Sequence, residues 1–532
     1  MNEEVILMSK IISNLVCLLL VFCLLFSLAA CGGNSSENKG VSDNSTQVTT
    51  GENKDQNTTK ETPVLNVLLK DDGQNKWDNN LFVIKEMEKA AGASFNIIPV
   101  PDSNMGAKQS TILASGEIPD LMFSSTNSYS LMMEYGPKGL FMPVDQYFDN
   151  MPNLKKWIAR YPEFTKIMSA ADKHIYGFPI INDFQEFKIG LNIREDLLDG
   201  MKASDINTLD DLYNVLTILK NKKGNAPWVA RDEAPFLEYI APIFGTGRFV
   251  YYNPKQDKFN FGPTEENFKL MINFLAKCYK DGLLHKDAMV MRDQVMEQML
   301  VGDKAYFYID NMMTCGFFTP DTTKPFVSIL PPKVNGERHY GTVNRGSVAY
   351  DRIWFVSAKT KYVDNIIKLV DWGYGKEGYE TLNWGKEGET YTRNSDGTKK
   401  WLIKIHTINS DSNKSLYDYG IYRNFFNTFV WDKESYEVGW LGDYFKNALK
   451  LYSDNGVVPP QTPAIVLTQD EIEAKKILEQ SLSTYTEENV SKFIMGVSPM
   501  SEWEKFIEKL KGMKIEELLK LYDDSYERYK SK

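Results

Sequence analysis

From residue 64 to residue 127 the chain alternates between two hydrophobic periods. Val64, Leu65, Asn66, Val67, Leu68 and Leu69 make a short β-type run. Residues 80–91 then place Leu81, Ile84, Lys85 and Glu88 at helical spacing and stop at Gly92, a residue that readily takes the left-handed turn ending a helix. Residues 94–100 read as a second strand, which Pro99 and Pro101 should halt because proline offers no N–H to a ladder. The unit then repeats, with residues 106–115 as helix, Gly116 as its stop, and a strand from Ile118 to Phe123 running into Ser124, Ser125, Thr126 and Asn127. Strand, helix, strand in succession requires a crossover, so the pattern predicts an α/β fold with a parallel sheet. Open sheets of this kind collect ligands outside the carboxyl ends of their strands, which makes Ser124 and Asn127 candidate contacts.

A chain of 532 residues has room for several domains or for two large lobes with extensions. With 61 basic and 71 acidic residues its formal charge is −10, which disfavours a nucleic-acid binder. Cys17, Cys23 and Cys31 lie in or just after one apolar run, leaving only Cys278 and Cys315 for the body. A disulfide scaffold is therefore excluded, and these two are expected as buried free thiols.

The apolar run, residues 11–30, carries no charge and ends in Leu28-Ala29-Ala30-Cys31-Gly32-Gly33. It can be read as a buried helix, as a single membrane-spanning anchor, or as a secretory signal. The polar low-complexity chain after it offers a buried helix no partner. Leu-Ala-Ala-Cys resembles the lipobox of bacterial lipoproteins, which implies that residues 1–30 are a lipoprotein signal peptide and that Cys31 is acylated. Glu3 and Glu4 are out of place in a signal's positive start, and initiation at Met8 would leave Lys10 as its only charge. Residues 31–62 lack aromatics and cannot bury enough apolar surface to order themselves, so they read as a flexible tether. The expected location is the extracellular face of the cytoplasmic membrane, held by lipid.

Further along, Ala114-Ser115-Gly116-Glu117-Ile118-Pro119-Asp120-Leu121, Gly139-Leu140-Phe141-Met142-Pro143-Val144-Asp145 and Ile175-Tyr176-Gly177-Phe178-Pro179 follow in order. So do Asn192-Ile193-Arg194-Glu195-Asp196-Leu197-Leu198, Thr208-Leu209-Asp210-Asp211-Leu212 and Gly302-Asp303-Lys304-Ala305-Tyr306. In these motifs the chain resembles family 1 extracellular solute-binding proteins, the receptors of bacterial carbohydrate ABC importers. Trp384-Gly385-Lys386-Glu387-Gly388-Glu389-Thr390-Tyr391 and Lys492-Phe493-Ile494-Met495-Gly496 are similar to the long lipoprotein subgroup that includes alginate-oligosaccharide binders.

The resemblance implies a two-lobe, periplasmic-binding-protein-like fold of type 2, with hinge crossings and a helical C-terminal extension. Its boundaries are expected at 63–186 and 341–395 for lobe 1, 187–340 and 396–468 for lobe 2, and 469–532 for the extension. The first crossing is expected at residues 183–189 and the return at 340–343, after Ile329-Leu330-Pro331-Pro332. The implied partners are a carbohydrate ligand and ABC permease subunits, with a monomeric receptor, no nucleic acid and no cofactor.

Sugar rings present apolar C–H faces to aromatic planes, and their hydroxyls need amide or carboxylate partners. By resemblance, the loop holding Trp228, Asp232 and Phe236 lines the second lobe's side of the cleft. Asp310 and Asn311 end a strand there. Asp183 and Phe184 lie at the first crossing, Asn344 and Arg345 after the return, and Trp384 and Glu387 could close the cleft. Trp157, Trp354, Trp372 and Trp503 sit in apolar or amphipathic stretches and read as core. Alginate-type relatives hold calcium in a carboxylate-rich loop, whereas residues 220–227 here read Lys-Asn-Lys-Lys-Gly-Asn-Ala-Pro. Calcium takes six to eight oxygens, so no metal is expected.

Signals for an enzyme are poor. There is no Gly-x-Ser-x-Gly elbow, and His174, His285, His339 and His406 are not spaced as zinc ligands. Gly373, Gly375 and Gly378 spell a dinucleotide fingerprint, but they follow a helical run instead of a strand. A surface glycosidase, or a lipid-anchored adhesin or scaffold, are the alternatives to a sugar receptor.

Overall fold

The computed structural model describes residues 62–71, 77–101, 104–125, 127–182, 189–231, 233–316, 318, 323–324, 326–341, 346–403, 416–421, 428–435, 438 and 443–531. The apolar N-terminal run, Cys31 and the expected tether up to residue 61 lie outside them.

Lobe 1 starts with β1 (Val64–Asp71), β2 (Ser94–Pro101), β3 (Leu121–Ser124) and β4 (Phe178–Asn182). The Phe82–Ala91 and Met105–Ser115 helices cross between the first three strands and end on Gly92 and Gly116, with φ of 61° and 68°. β2 runs through both prolines that were expected to halt it. It can do so because it pairs only with β1 and forms the sheet's outer edge, where a missing N–H breaks no ladder.

After Asn182 the chain enters lobe 2, which carries β5 (Ile189–Ile193), the hairpin of β6 (Val250–Asn253) and β7 (Lys258–Phe261), β8 (Phe307–Asn311) and β9 (Val327–Ile329). β5 lies antiparallel between β8 and β9. The Leu209–Lys223 helix starts at a capping box in which Thr208 and Asp211 exchange hydrogen bonds, as the Thr-x-x-Asp spacing predicts. The chain is back in lobe 1 at β10 (Val348–Val356), followed by the hairpin of β11 (Tyr391–Arg393) and β12 (Lys399–Trp401), and by β13 (Val430–Trp431). The lobe-1 sheet has the order β13-β4-β10-β3-β1-β2 and is parallel except for β10. The sheets change between residues 182 and 189 and between residues 329 and 348, which brackets the two expected crossings.

The placement of residues 396–468 in lobe 2 requires correction. β13 pairs with β4, Val430 opposite Ile181, and Leu416, Phe429, Trp431, Phe445 and Ala464 share the apolar core of β1 and β3. Without β13 the far edge of β4 would carry unsatisfied backbone groups. In the Asp443–Asp454 helix, buried Tyr452 also reaches across to lobe 2. Its hydroxyl accepts the Leu191 N–H at 3.1 Å and donates to the Ile329 carbonyl at 2.9 Å.

The expected helical extension consists of Gln469–Ile494, Trp503–Lys511 and Ile515–Lys530. A second capping box, Thr468 with Glu471, starts the first helix, whose 26 residues span about 39 Å. Its start is tied to lobe 1, where Gln469 Nε2 donates to the Met133 carbonyl and Lys476 pairs with buried Glu134. Its end, with Leu482, Val490, Phe493 and Ile494, is part of the lobe-2 core. The extension thus packs on both lobes. Gly373 and Gly378 belong to the junction of two helices, where a Cβ would lie 2.1 Å from the Phe429 ring and 1.9 Å from the Trp372 carbonyl oxygen. Their spacing serves packing. Cys278 and Cys315 are buried free thiols, each pushed up to about 12 by burial.

Candidate functional site

At the carboxyl end of β3, Ser124 is fully buried and its oxygen accepts from Gln109 Nε2 at 2.7 Å. Ser128 Oγ lies 2.9 Å from it. Ser124 therefore ties a strand to two helices and presents nothing to a cleft. Asn127 is exposed and takes a left-handed φ of 52° where the Ser128–Tyr135 helix begins.

Trp228 is not in a loop. Its N–H donates to Leu283, its carbonyl accepts from His285, and it bridges Leu284 and Phe307, so it is an extended residue inside lobe 2. Its indole is 0% exposed, with the Phe307 ring 5.1 Å and the Phe236 ring 5.6 Å away, edge to face. No face remains for a sugar, and the expectation of stacking by Trp228 and Phe236 is corrected to core packing. Asp310 is 1% exposed and faces Gly190 in the β5 ladder. Burial pushes its carboxyl up, while the Arg231 guanidinium that is hydrogen-bonded to it acts in the opposite direction. Arg231 also holds Asp293 at 3.1 Å. Asn311, half-buried, ends the same strand.

Trp384 is equally sealed. Its ring stacks on Trp401 at 4.5 Å, its Nε1 donates to Asp432, and Lys399 Nζ sits 4.9 Å above it. Glu387 pairs with Arg393 beside the β11–β12 hairpin. Trp384 is corrected from a cleft closer to a support of that hairpin, beside which Glu387 stays exposed. Asp183, Phe184, Asn344 and Arg345 lie outside the described residues, as does the Asp232 side chain.

A cavity of about 480 Å³ opens between the lobes elsewhere. Lobe 1 contributes Tyr129 and Tyr350, whose rings are 5.1 Å apart. Lobe 2 contributes the 245–255 segment, Phe259 and His339; the 459–465 segment ahead of the long helix and Tyr522 of the last helix close the remainder. None of the sequence-predicted residues that are described lines it.

The cavity's aromatics are anchored through their hydroxyls. Tyr129 donates to the Ile167 carbonyl at 3.0 Å, Tyr251 to Glu265 at 3.0 Å, and Tyr252 to Asp257 at 2.6 Å. Gly247 is required beside them, since a Cβ there would lie 2.4 Å from the Tyr251 ring. Arg248 pairs with Glu487 of the long bridging helix, and Lys255 with Glu337. Burial lowers the His339 pKa, keeping that ring neutral at pH 7. Rigid aromatic faces beside the Asn253 and Asn267 amides can stack a ring and bind hydroxyls at once. The detectable signals were Gly245-Thr246-Gly247 ahead of Phe249, Tyr251 and Tyr252, and the Pro459-Pro460-Gln461-Thr462-Pro463 run.

At the corner where relatives were expected to differ, Lys222 pairs with Asp199 and Lys223 with Asp303, which also receives Arg194. Among the described residues no three His, Cys, Asp or Glu groups converge as metal ligands.

Two α/β lobes, joined by recrossing chain and enclosing an aromatic-walled cavity, define the class of hinged solute-binding proteins. Residues 80–380 match the bacterial extracellular solute-binding protein family, and the chain belongs to it. It is 22% identical over 494 residues to the fructooligosaccharide ABC transporter substrate-binding protein FusA of Streptococcus pneumoniae, covering 86% of this chain and 88% of that one. It is 22% identical over 483 residues to the polygalacturonan/rhamnogalacturonan-binding protein YtcQ of Bacillus subtilis, covering 84% and 88%. Among solved structures, the alginate-binding protein AlgQ2 without calcium ion superposes with a TM-score of 0.72 at 21% identity, over 89% of this chain and 100% of that one. FusA is by name the substrate-binding protein of an ABC transporter, and YtcQ and AlgQ2 are by name binding proteins.

Proposed function

We propose that this protein is the extracellular receptor of a carbohydrate ABC importer, capturing an oligosaccharide between its lobes and handing it to the permease. The observation that carries the reading is the interlobe cavity, with tyrosines from lobe 1 facing an aromatic and amide wall from lobe 2. Such a wall offers stacking faces and hydrogen-bond partners to a sugar, and the receptor is expected to bind it without hydrolysing it. Names given to FusA, YtcQ and AlgQ2 support a saccharide as the ligand class. Calorimetric titration of the purified protein with oligosaccharides is the test. Heat of binding without new reducing ends on prolonged incubation is expected; appearance of reducing ends would make it a glycosidase.

The receptor acts outside the cell, monomeric and anchored by lipid on Cys31. Support comes from the apolar residues 11–30, the Leu28-Ala29-Ala30-Cys31 sequence, and 24% identity over 354 residues to lipoprotein LipO of Bacillus subtilis. Cys31→Ala is expected to abolish labelling by a radioactive fatty acid and to leave either uncleaved precursor or protein shed to the medium. Unchanged labelling would overturn the anchor.

A further inference from the structure

We propose that Arg248 is the donor by which the interlobe cavity holds an oxygen atom of its ligand, and that one buried water, shared with Thr486, fixes the guanidinium for that task. The water site stands on the protein's own polar atoms, and only the ligand contact rests on the reading of the cavity as a carbohydrate site.

A guanidinium carries five N–H donors and no acceptor. Among the described residues the Arg248 side chain makes one hydrogen bond, from Nη2 to Glu487 of the Gln469–Ile494 helix. Its Nε is sealed from solvent without a partner, and so is Oγ1 of Thr486, the residue before Glu487 on that helix. Leaving both unpaired in the interior is costly. The two side chains line one small space of about 10 Å³, closed in by Leu237, Phe249, Phe268 and Val490. That is room for a single water, with Nε, the threonine hydroxyl and the Glu487 carboxylate around it as polar groups. Water suits them: its oxygen accepts the Nε hydrogen, and its own hydrogens can go to the hydroxyl and carboxylate oxygens. A cation would be repelled by the guanidinium, and an apolar group would pair with neither orphaned atom. Arg248 and Phe249 line this space and the cavity of about 480 Å³ alike, so they form the partition between the two. With Nη2 on Glu487 and Nε on the water, the plane of the guanidinium is fixed. Nη1, which has no protein partner among the described residues, is left for the cavity. A planar donor held still before binding loses little freedom when a ligand hydroxyl, ring oxygen or carboxylate meets it.

The test has two arms, the first a crystal structure of the full protein at a resolution that shows ordered water. Density for one water within about 3.2 Å of both Arg248 Nε and Thr486 Oγ1 is expected; a dry space, or either atom bonded to another protein group, would overturn the water site. Thr486→Val keeps the shape and deletes the hydroxyl. It should lose the water, increase the displacement of the guanidinium and lower the melting temperature by about 1 to 2 °C, whereas Thr486→Ser should match the parent in all three. The second arm is calorimetric titration with neutral fructo- and manno-oligosaccharides and with tri- to hexa-galacturonates as probes. For whichever probe binds the parent, Arg248→Lys, which keeps the charge but not the fork, should raise Kd about ten-fold. Thr486→Val should raise it about three-fold, with Thr486→Ser at the parent value. An unchanged Kd in Arg248→Lys would overturn the ligand contact and leave the carbohydrate reading intact. An unchanged Kd in Thr486→Val would show that the water does not prepare Arg248 for binding and overturn that link. Binding of no probe by the parent would overturn the carbohydrate reading and the ligand contact together, and the crystal arm would then decide the water site by itself.

Discussion

Trp228 follows a proline and precedes Arg231, Asp232 and Glu233, a context that reads as loop. Absent from the local sequence is the pair of backbone partners, Leu283 and Phe307, that draw this stretch into the middle of lobe 2. A tertiary pairing decided the fate of the ring. Trp228→Ala is accordingly expected to lower unfolding free energy by about 3 to 5 kcal/mol while the ligand Kd stays within experimental scatter, as read by urea melts beside calorimetry. The same logic applies to Asp310, which does stand at a strand end but is spent on Arg231. A second residue carries a pH dependence. Arg194 Nε and Nη2 donate to Asp196 at 2.7 and 2.9 Å, and these bonds hold that carboxyl below the usual aspartate range. A depressed acid contributes stability that is present above its unfolded value of about 3.9 and is lost as pH falls through the folded one. Asp196→Asn should therefore lower the melting temperature at pH 7 and flatten its decline below about pH 4, measured by thermal melts across pH.

Elements were more legible than side chains because their signals are local. The first two helices end on the glycines that the spacing picked out, and both capping boxes start helices where the Thr-x-x-Asp and Thr-x-x-Glu patterns stand. β2 escaped the proline rule only through its edge position, which depends on strand order and cannot be read from the strand itself. Likewise β13, two residues long, is defined by its partner β4 more than by its own sequence. The Gln469–Ile494 helix reads correctly as a helix, yet its attachment to both lobes becomes visible only in three dimensions. There Lys476 and Lys138 both meet Glu134, and their hydrogen bonds outweigh the effect of burial and hold its carboxyl below the ordinary glutamate range. Lys476→Ala should leave that buried carboxylate with one cation and reduce stability by about 1 kcal/mol in equilibrium urea unfolding. A loss no larger than that of Lys505→Ala, an exposed lysine elsewhere in the extension, would show that the contact is idle.

For the molecule as a whole, a ligand that bridges two lobes binds the folded state alone. At 100 times its Kd it adds about 2.7 kcal/mol to stability, so an oligosaccharide ligand of the proposed kind should raise the melting temperature in proportion to the logarithm of its concentration. Chelator should leave that temperature unchanged, since lysines 222 and 223 occupy the corner carboxylates; a drop of several degrees restored by calcium would contradict this. Tyr452 constrains any relative motion of the lobes. Rooted in the lobe-1 core, it grips strands β5 and β9 of lobe 2 through one oxygen, and Gly190 and Gly341 leave room for its ring where a Cβ would come within 2.9 Å. Turning about that oxygen preserves both bonds, whereas sliding past it breaks them. In a ligand-driven closure the tyrosine would be the axle: displacement is nil at the pin and grows with the lever arm, so distance labels set beside Tyr452 should be blind to ligand while a pair at the rims reports the full swing.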